Sequence, residues 1–281
     1  MPDIPVSVII MTRNESKNIV ACLESLAGFD EIFVVDSGSD DDTVALAAAH
    51  GATVVPFAWN GRYPKKKQWC LESLPFSHDW LLYVDADERL TPDCAAEIAD
   101  AMASDARRDG YFVGYDYVFM DTTLRFGRRI YKLVLFNRHK GRFLDYRDHD
   151  IANMWEVEGH YQPKIEGTTA ILKSRMIHRD HEGLFHFFER HNRYSDWEAA
   201  LRERGLYDAD LETQPGPRTL LKRIWMRMPC KGLVIFVYAY FVRLGFLDGR
   251  AGFDYALAQA FYFWQIGIKQ RELRRRARGV S

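Results

Sequence analysis

WLLYVDADERLTP, residues 80–92, places five apolar or aromatic residues directly before a cluster of carboxylates. The first half, which ends at Val84, is typical of a buried strand, whereas Asp85, Asp87 and Glu88 follow within four positions. Carboxylates at this density repel one another and lose hydration when they are buried. The stretch therefore predicts a strand whose carboxyl end meets a cation.

The residues around this stretch alternate apolar runs with helical patterns. The predicted strands are 6–12, 31–39, 52–59 and 80–87, and the predicted helices are 16–28, 41–51, 63–74 and 91–104. Strands that are almost continuously apolar and alternate with helices indicate a parallel sheet covered on both faces. Further strands at 110–120, 131–138 and 168–178, followed by a helix at 181–205, are expected to add mixed or antiparallel pairs.

The composition is that of an ordinary globular protein, because 47% of the residues are hydrophobic and 27% are charged. A chain of 281 residues allows one large domain or two small ones. The four cysteines match no zinc or disulfide spacing, which is typical of a reducing compartment. The opening MPDIPVSVII has neither a basic region nor a long apolar run, so no signal peptide is expected.

The C-terminal part differs from the rest of the chain in charge. From Arg218 onward there are thirteen Lys and Arg and three Asp and Glu, a balance of +10, so residues 1–217 carry −11 of the total of −1. An acidic body disfavours nucleic acid as a partner. Residues 208–219 have the composition of a linker, and residues 220–281 form a basic region rich in aromatic residues.

Two apolar patches, 232–242 and 253–268, lie in this basic region. With eleven and sixteen residues, both are shorter than the roughly 20 residues that span a bilayer. The lysines and arginines that flank them favour amphipathic helices in the interface of an anionic membrane, or a shallow re-entrant pair. A buried helical pair on the catalytic body, or a dimer contact, is the alternative.

Three polar clusters follow predicted strands at the point where each strand ends. They are residues 12–15 (TRNE), 36–39 (DSGS) and 85–87 (DAD). The carboxyl ends of parallel strands share one edge of the sheet, where α/β proteins bind ligands. The chain has no glycine-rich phosphate loop, so a divalent cation between carboxylates and a diphosphate is the physical alternative. Mg²⁺ and Mn²⁺ favour such oxygen ligands.

The segments VSVIIMTRNE, VVDSGSDDDT and LLYVDADERL together resemble the family 2 glycosyltransferases of GT-A fold. The similarity covers about residues 5–205. Within the family, the chain resembles the bacterial lipopolysaccharide-core β-glucosyltransferase branch, and residues 243–253 resemble the membrane-proximal tail of that branch. The resemblance implies an α/β fold with a Rossmann-like, mostly parallel sheet flanked by helices. Residues 1–207 would form this catalytic domain, with a donor half at about 1–109 and an acceptor half at about 110–207, and residues 220–281 would associate with a membrane.

The same resemblance implies an inverting enzyme that takes a sugar from a nucleotide-diphosphate donor, most commonly a UDP-sugar, with Mn²⁺ or Mg²⁺ as cofactor. Its acceptor would be a lipid-linked saccharide, a lipopolysaccharide core or a polyprenyl phosphate at the cytoplasmic face of the inner membrane. Two other classes stay open. One is a sugar-phosphate nucleotidyltransferase, although the chain lacks the glycine-rich signature of that class, and the other is a non-catalytic membrane-associated binding module.

The resemblance assigns the nucleotide to the three clusters and to a basic run. The residues that it places in the nucleotide pocket are Thr12, Arg13, Asn14, Glu15, Asp36, Lys67 and Asp85. Asp36 would accept hydrogen bonds from the base or ribose, and Lys67 would approach the diphosphate. The alternatives are a turn or helix-capping aspartate at Asp36 and a solvated face for the lysines at 65–67.

The metal is assigned by resemblance to Asp87, with Asp85 contacting the ribose or a metal-bound water and His178 completing the coordination. A surface turn before the Thr91-Pro92 helix start is the alternative for the two aspartates. For His178 the alternative is a structural histidine at the end of a strand.

Inversion requires one base that deprotonates the acceptor hydroxyl. The family places this base in the acceptor half, where the segment MWEVEGHYQPKIEG contains Glu156 and Glu158, with Asp148 and Asp150 upstream. Glu158 is the preferred base because a glycine and a histidine follow it, and Glu156 is its rival. Carboxylates on the face of a strand are the alternative for both.

Overall fold

The computed structural model describes residues 4–146, 151, 156–157, 162–205, 228 and 230–279. Contacts between residues in space divide the described part of the chain into two compact units. The first contains residues 4–123, 129–145, 156–157 and 162–181, and the second contains the other described residues. The linker at 208–219 and the domain limit at 207 lie outside the described residues and stay predictions.

The first unit begins with the four strands that the apolar runs predict. They are β1 (Ile4–Thr12), β2 (Phe29–Asp36), β3 (Thr53–Pro56) and β4 (Trp80–Asp85). β1 pairs in parallel with β2 and with β4, and β2 pairs in parallel with β3. The predicted parallel sheet is therefore confirmed for this half of the unit.

Four helices connect or follow these strands. They are α1 (Ile19–Glu24), α2 (Thr43–Ala49), α3 (Lys66–Ser73) and α4 (Pro92–Ala103). The start of α4 is the predicted cap, since the Cys94 amide donates a hydrogen bond of 3.2 Å to Thr91 Oγ1 and Pro92 opens the helix. The strands and helices enclose one hydrophobic core, which includes Ile10, Leu82 and Ile98.

The second half of the sheet is mixed, as the later strands predict. It contains β5 (Glu88–Arg89), β6 (Gly110–Phe119), β7 (Thr122–Thr123), β8 (Tyr131–Asn137) and β11 (Thr169–Arg179). β8 is antiparallel to β4 and β6, whereas β11 is parallel to β6. In the described residues the strand order is β3-β2-β1-β4-β8-β6-β11-β5, with β7 beside β6. β9 (Gly141–Arg142) and β10 (Lys164–Ile165) form a separate pair.

The pairing of β5 with β11 positions the chain that follows β4. The two strands are antiparallel, and His178 lies opposite Glu88 in their register. The Arg179 amide also donates a hydrogen bond of 2.8 Å to the Asp87 carbonyl oxygen. The acidic stretch after β4 is therefore held at the edge where β11 ends.

The regular elements among the described residues of the second unit are all helices. Its elements are α5 (Gly183–Glu203), α6 (Lys231–Val237), a π-helix (Tyr238–Val242), a 3₁₀-helix (Gly245–Asp248) and α7 (Gly249–Ala277). α5 and α7 are joined by polar contacts, such as a hydrogen bond of 2.6 Å from the Tyr262 hydroxyl to Glu198.

No single helix among the described residues is long and apolar enough to cross a membrane. Two neighbouring segments, Lys231–Val242 and Gly245–Ala277, meet the length and composition criteria together and are bent by 74°. We call these two segments the C-terminal helical pair.

The stability of the first unit should depend on the hydrophobic core that its central strands form. Leu82 is fully buried in β4, so Leu82→Ala should lower the free energy of unfolding by about 2–5 kcal/mol through lost burial and a cavity. Urea denaturation measures this change. Val44→Ala, at a position in α2 that is 39% exposed, is the matched control and should stay within about 0.5 kcal/mol of the wild type. Equal losses in both variants would contradict the assigned core.

Candidate active site

The first two polar clusters meet where β1 and β2 end. Thr12 lies opposite Asp36 in the parallel register, and its hydroxyl donates a hydrogen bond of 2.9 Å to Asp36 Oδ1. Both residues are buried. The prediction that these clusters share one edge of the sheet is therefore confirmed.

Asp36 organises the loop that follows β2. Its carboxylate accepts hydrogen bonds from the Ser39 amide at 2.8 Å and from the Ser39 hydroxyl at 2.5 Å. Burial raises the pKa of Asp36, but the hydrogen bonds from Ser39 and Thr12 outweigh burial and hold the pKa below its usual value. Asp36 is therefore an ionised acceptor. Its contacts with Ser39 are those of the turn aspartate that was the alternative for this residue, and a nucleotide contact stays a prediction.

The TRNE segment after β1 packs against this loop through its backbone. The Asn14 amide donates a hydrogen bond of 2.8 Å to the Ser39 hydroxyl, and the φ of Asn14 is 58°, a left-handed value that asparagine tolerates. The Glu15 amide donates a hydrogen bond of 2.7 Å to Thr43 Oγ1. Arg13 is exposed. The segment thus has a defined backbone at the edge where the nucleotide is predicted.

The lysine run at the start of α3 is largely buried. Lys65 is 4% exposed and Lys66 is 1% exposed, so the solvated-face alternative is wrong for these two residues. Lys66 Nζ donates hydrogen bonds to the Thr12 carbonyl at 3.1 Å and to Ser37 Oγ at 2.5 Å. The burial of Lys66 had one signal in the sequence. Lys66 stands four residues before Cys70, so the two side chains share a face of the predicted helix, and Cys70 is buried in the structure.

Lys132 contacts the acidic stretch after β4, and the divalent cation that the sequence predicts there stays a prediction. Its ammonium lies 2.7 Å from Asp85 Oδ2 and 2.7 Å from Glu88 Oε1. The Glu88 side chain is 1% exposed, whereas that of Asp85 is 41% exposed. Lys132 belongs to β8 and is 47 positions away from Asp85 in sequence, so local patterns did not identify it.

The pKa values of the two carboxyl groups beside Lys132 shift in opposite directions. Burial raises the pKa of Glu88 to about 8, against the attraction of Lys132. Desolvation also opposes ionisation of Asp85, but Lys132 and then Lys67 outweigh it and lower the pKa of Asp85. Lys67, the predicted diphosphate contact, therefore acts on the acidic turn through its charge, and its ammonium lies 5.8 Å from the centroid of the Phe143 ring.

Asp87 and His178 meet beside this turn. Asp87 Oδ2 lies 3.3 Å from His178 Nε2. The His178 ring stacks on Tyr117, with the ring centroids 4.6 Å apart. Asp87 is buried, so the surface-turn alternative is wrong for this residue. The predicted metal ligands Asp87 and His178 are thus neighbours, while Asp85 is paired with Lys132.

The pair of Asp87 and His178 fits a divalent ion as part of a coordination shell. Two ligands at adjacent corners of an octahedron, each about 2.1 Å from the ion, lie about 3 Å apart, which is close to the 3.3 Å between Oδ2 and Nε2. Within the described part of the chain, no group of three or more His, Cys, Asp or Glu could hold a metal. Phosphate oxygens and water would therefore complete the shell.

Of the two candidate bases, Glu156 is among the described residues. Its Oε1 lies 3.6 Å from Lys66 Nζ, and its carbonyl oxygen accepts a hydrogen bond of 2.7 Å from the Lys66 amide. Glu156 is therefore held beside the ends of β1 and β2 by a buried ammonium. Glu158, Asp148 and Asp150 lie outside the described residues, and their assignments stay predictions.

Comparisons with known proteins define the family. The chain matches Glycosyl transferase family 2 over residues 7–183, and it belongs to this family. It is 28% identical to the lipopolysaccharide core biosynthesis glycosyltransferase LpsC of Rhizobium meliloti, over 96% of this chain and 93% of that protein. It is also 28% identical to an uncharacterized glycosyltransferase of Rickettsia typhi, over 98% of this chain and 89% of that protein.

Among solved structures, the chain is similar to glucosyl-3-phosphoglycerate synthase from Mycobacterium tuberculosis, in a complex with Mn²⁺, UDP-glucose and phosphoglyceric acid. The two are 24% identical over 40% of this chain and 43% of that chain, with a TM-score of 0.31.

Membership of the family confirms the resemblance and the fold class, a GT-A sheet flanked by helices. The protein is therefore an enzyme, a glycosyltransferase that transfers a sugar from a nucleotide-sugar donor. A sugar-phosphate nucleotidyltransferase or a non-catalytic module does not fit this membership.

The acidic turn should depend on Lys132. At pH 9, above the pKa of about 8 of Glu88, Lys132→Met leaves this buried carboxylate without its cation, so we expect the free energy of unfolding to fall by about 3 kcal/mol. The double variant Lys132→Met/Glu88→Gln removes the buried carboxylate as well and should recover part of this loss. Urea denaturation of both variants measures the two changes.

Lys140→Met is the matched control for this prediction, because Lys140 is an exposed lysine just beyond β8. It should leave stability within about 0.5 kcal/mol of the wild type. If Lys132→Met proves as stable as Lys140→Met, the ammonium does not support the turn.

Proposed function

We propose that the protein is an inverting, metal-dependent hexosyltransferase that moves a sugar from a UDP-sugar to a lipid-linked saccharide, a lipopolysaccharide core or a polyprenyl phosphate. The observation that carries this proposal is the distance of 3.3 Å between Asp87, just after β4, and His178 of β11. The relative from Rhizobium meliloti, named for lipopolysaccharide core biosynthesis, supports an acceptor of this class. UDP is proposed because it is the common donor nucleotide of the family that the sequence resembles.

The donor nucleotide is proposed to lie along the ends of β1 and β2. Thr12 and Asp36 form the floor of this site, and the backbone from Arg13 to Glu15 borders it. The ionised Asp36 has an acceptor oxygen for a donor group of the base or ribose. Lys67 and Lys132 add positive charge near the acidic turn, where a diphosphate would otherwise be repelled.

Asp87 and His178 are proposed to hold the divalent ion, Mn²⁺ or Mg²⁺, with the diphosphate oxygens. When bound, such an ion supplies positive charge that stabilises the departing nucleoside diphosphate. Asp85 is engaged by Lys132, so its free lone pairs are proposed to reach the ribose or a metal-bound water.

Glu158 is proposed as the base that takes the proton from the acceptor hydroxyl. Glu156 is already engaged by Lys66, which supports a positioning role for Glu156 and leaves the base to its neighbour. Inversion then follows from attack on the anomeric carbon opposite the leaving diphosphate, with one carboxylate as base.

The enzyme is proposed to work at the cytoplasmic face of the inner membrane. A lipid-linked acceptor lies in the membrane, and the basic aromatic region at 220–281 provides charges that anionic lipids attract. The acidic body, residues 1–217, would face the cytoplasm.

The metal assignment predicts that nucleotide binding depends on Asp87. In the wild type, Mn²⁺ with the correct nucleotide sugar at about 100 times its Kd should add about 2.7 kcal/mol of stability, which raises Tm by several degrees. Asp87→Asn should lose the metal-dependent part of this shift. Thermal denaturation with UDP-, GDP- and CDP-sugars, each with and without Mn²⁺, measures it.

Asp105→Asn is the control for this experiment, because Asp105 is exposed and outside the site. Its shift should equal that of the wild type. A full Mn²⁺-dependent shift in Asp87→Asn would remove Asp87 from the metal site, and stabilisation by nucleoside triphosphates alone would contradict the proposed donor.

The assignment of the base predicts different outcomes for two neighbouring glutamates. Glu158→Gln should lower kcat by about 10²–10⁴, the usual contribution of a general base, and should keep the thermal shift with the donor. Glu156→Gln should retain more activity, because its carboxylate does not take the proton. Release of UDP with extracted lipid-linked saccharides measures kcat. Full activity of Glu158→Gln would exclude Glu158 as the base.

A further inference from the structure

The C-terminal helical pair packs through small residues. A Cβ atom added to Gly232 would lie 2.6 Å from the Ala260 carbonyl oxygen, and one added to Gly245 would lie 2.7 Å from the Ala239 carbonyl oxygen. The two segments therefore approach one another through their backbones, and there is no room for larger side chains at these positions. Within the second segment, a Cβ atom on Gly252 would collide with the carbonyl oxygen of Gly245.

Many large apolar side chains of the pair are exposed, although Ile235 and Ile266 are buried and Phe236 packs on Phe253 with the ring centroids 5.7 Å apart. In its first segment the exposed ones are Leu233, Val234, Val237, Tyr238, Phe241 and Val242. At 3.6 residues per turn, Leu233, Val234 and Val237 of α6 lie on one side of that helix. In its second segment Leu257, Phe261 and Trp264 form an exposed stripe at helical spacing. Leu233 is 66% exposed and Trp264 is 51% exposed.

Exposed large apolar side chains in this number are not typical of a helical pair surrounded by water. In water, large apolar side chains leave the solvent and pack against one another. In lipid that driving force between helices is missing, so small residues allow close approach and large ones face the acyl chains. The first unit follows the rule for water, since Ile10, Leu82 and Phe136 are fully buried.

The charges around the pair fit an anionic surface. The two acids near its turn are already engaged, because Asp248 accepts hydrogen bonds of 3.0 and 2.9 Å from the amides of residues 125 and 126, and Asp254 pairs with Arg250 at 2.9 Å. Arg243 and Arg275 are exposed. Exposed arginines attract anionic headgroups, whereas they would repel the same arginines of a second copy of this chain.

We infer that the C-terminal helical pair enters one leaflet of an anionic bilayer as a shallow re-entrant element, with Leu233, Phe241 and Trp264 among the acyl chains. This inference rests on the proposed location at a membrane and adds the surface and the mode of attachment. The combined length and composition of the pair agree with such an element. Attachment then depends on buried apolar area as well as on charge.

Flotation of the purified full chain with lipid vesicles tests the inference. The vesicles contain phosphatidylcholine with or without phosphatidylglycerol, and binding is measured at low salt and at about 1 M NaCl, where surface charges are screened. The wild type should float with the anionic vesicles at both salt concentrations. Leu233→Ser/Phe241→Ser should lower the bound-to-free ratio at least about tenfold, because inserted apolar area is lost.

Ile171→Ser is the matched control, because Ile171 is 62% exposed on β11 of the first unit. It should bind vesicles as the wild type does. Trp264→Ser provides a second test on the other segment, should the double variant fail to fold. Circular dichroism and the thermal shift with the nucleotide sugar verify folding of each variant.

Three outcomes would overturn the inference. If high salt releases the wild type, attachment is by charge alone, and the location stands without insertion. If the wild type does not float at all, both the location and the inference fail, while the thermal shift still tests the enzyme. If the wild type does not float and sediments as a dimer that Leu233→Ser/Phe241→Ser dissociates, the surface binds a second copy.

Discussion

The ammonium of Lys132, at 2.7 Å from both Asp85 and Glu88, is the interaction on which the rest of the site depends. Burial raises the pKa of Glu88 to about 8, and its ionised form needs a cation because an isolated buried charge costs several kcal/mol. Lys132 supplies that charge where the chain turns after β4 and β5 pairs with β11. The same pairing brings Asp87 to His178, so the contact of Lys132 lies beside the site proposed for the metal.

Lys66 creates a similar arrangement at the neighbouring strands. Its ammonium donates to the Thr12 carbonyl and to Ser37, and it pairs with Glu156. An ammonium has three donors and no acceptor, so it suits an edge where carbonyl, hydroxyl and carboxylate oxygens converge. Both lysines reach this edge from elements outside the first parallel strands. Together they place positive charge in an acidic body, at the edge proposed for a diphosphate.

The two units follow different rules of burial. The first encloses large apolar side chains in a core, which is the arrangement that water favours. The segments of the C-terminal helical pair meet at glycines and alanines, and many of the large apolar side chains of the pair are exposed. The sequence predicted either helices in a membrane interface or a buried helical pair, because hydrophobicity alone does not say which side of a helix is covered. The close approach of Gly232 to Ala260 and the exposure of Leu233 and Trp264 support the inferred insertion.

The sequence by itself determined the parallel strands, the mixed strands after residue 109 and the meeting of Thr12 with Asp36, because periodicity and the ends of parallel strands are local properties. It also predicted a divalent cation near Asp85, which stays a prediction. Only the tertiary structure decided that Lys132, 47 positions away, contacts Asp85 and that Lys66 is buried. A lysine's local sequence does not reveal which distant carboxylate or carbonyl it meets, because strand order and register bring such partners together.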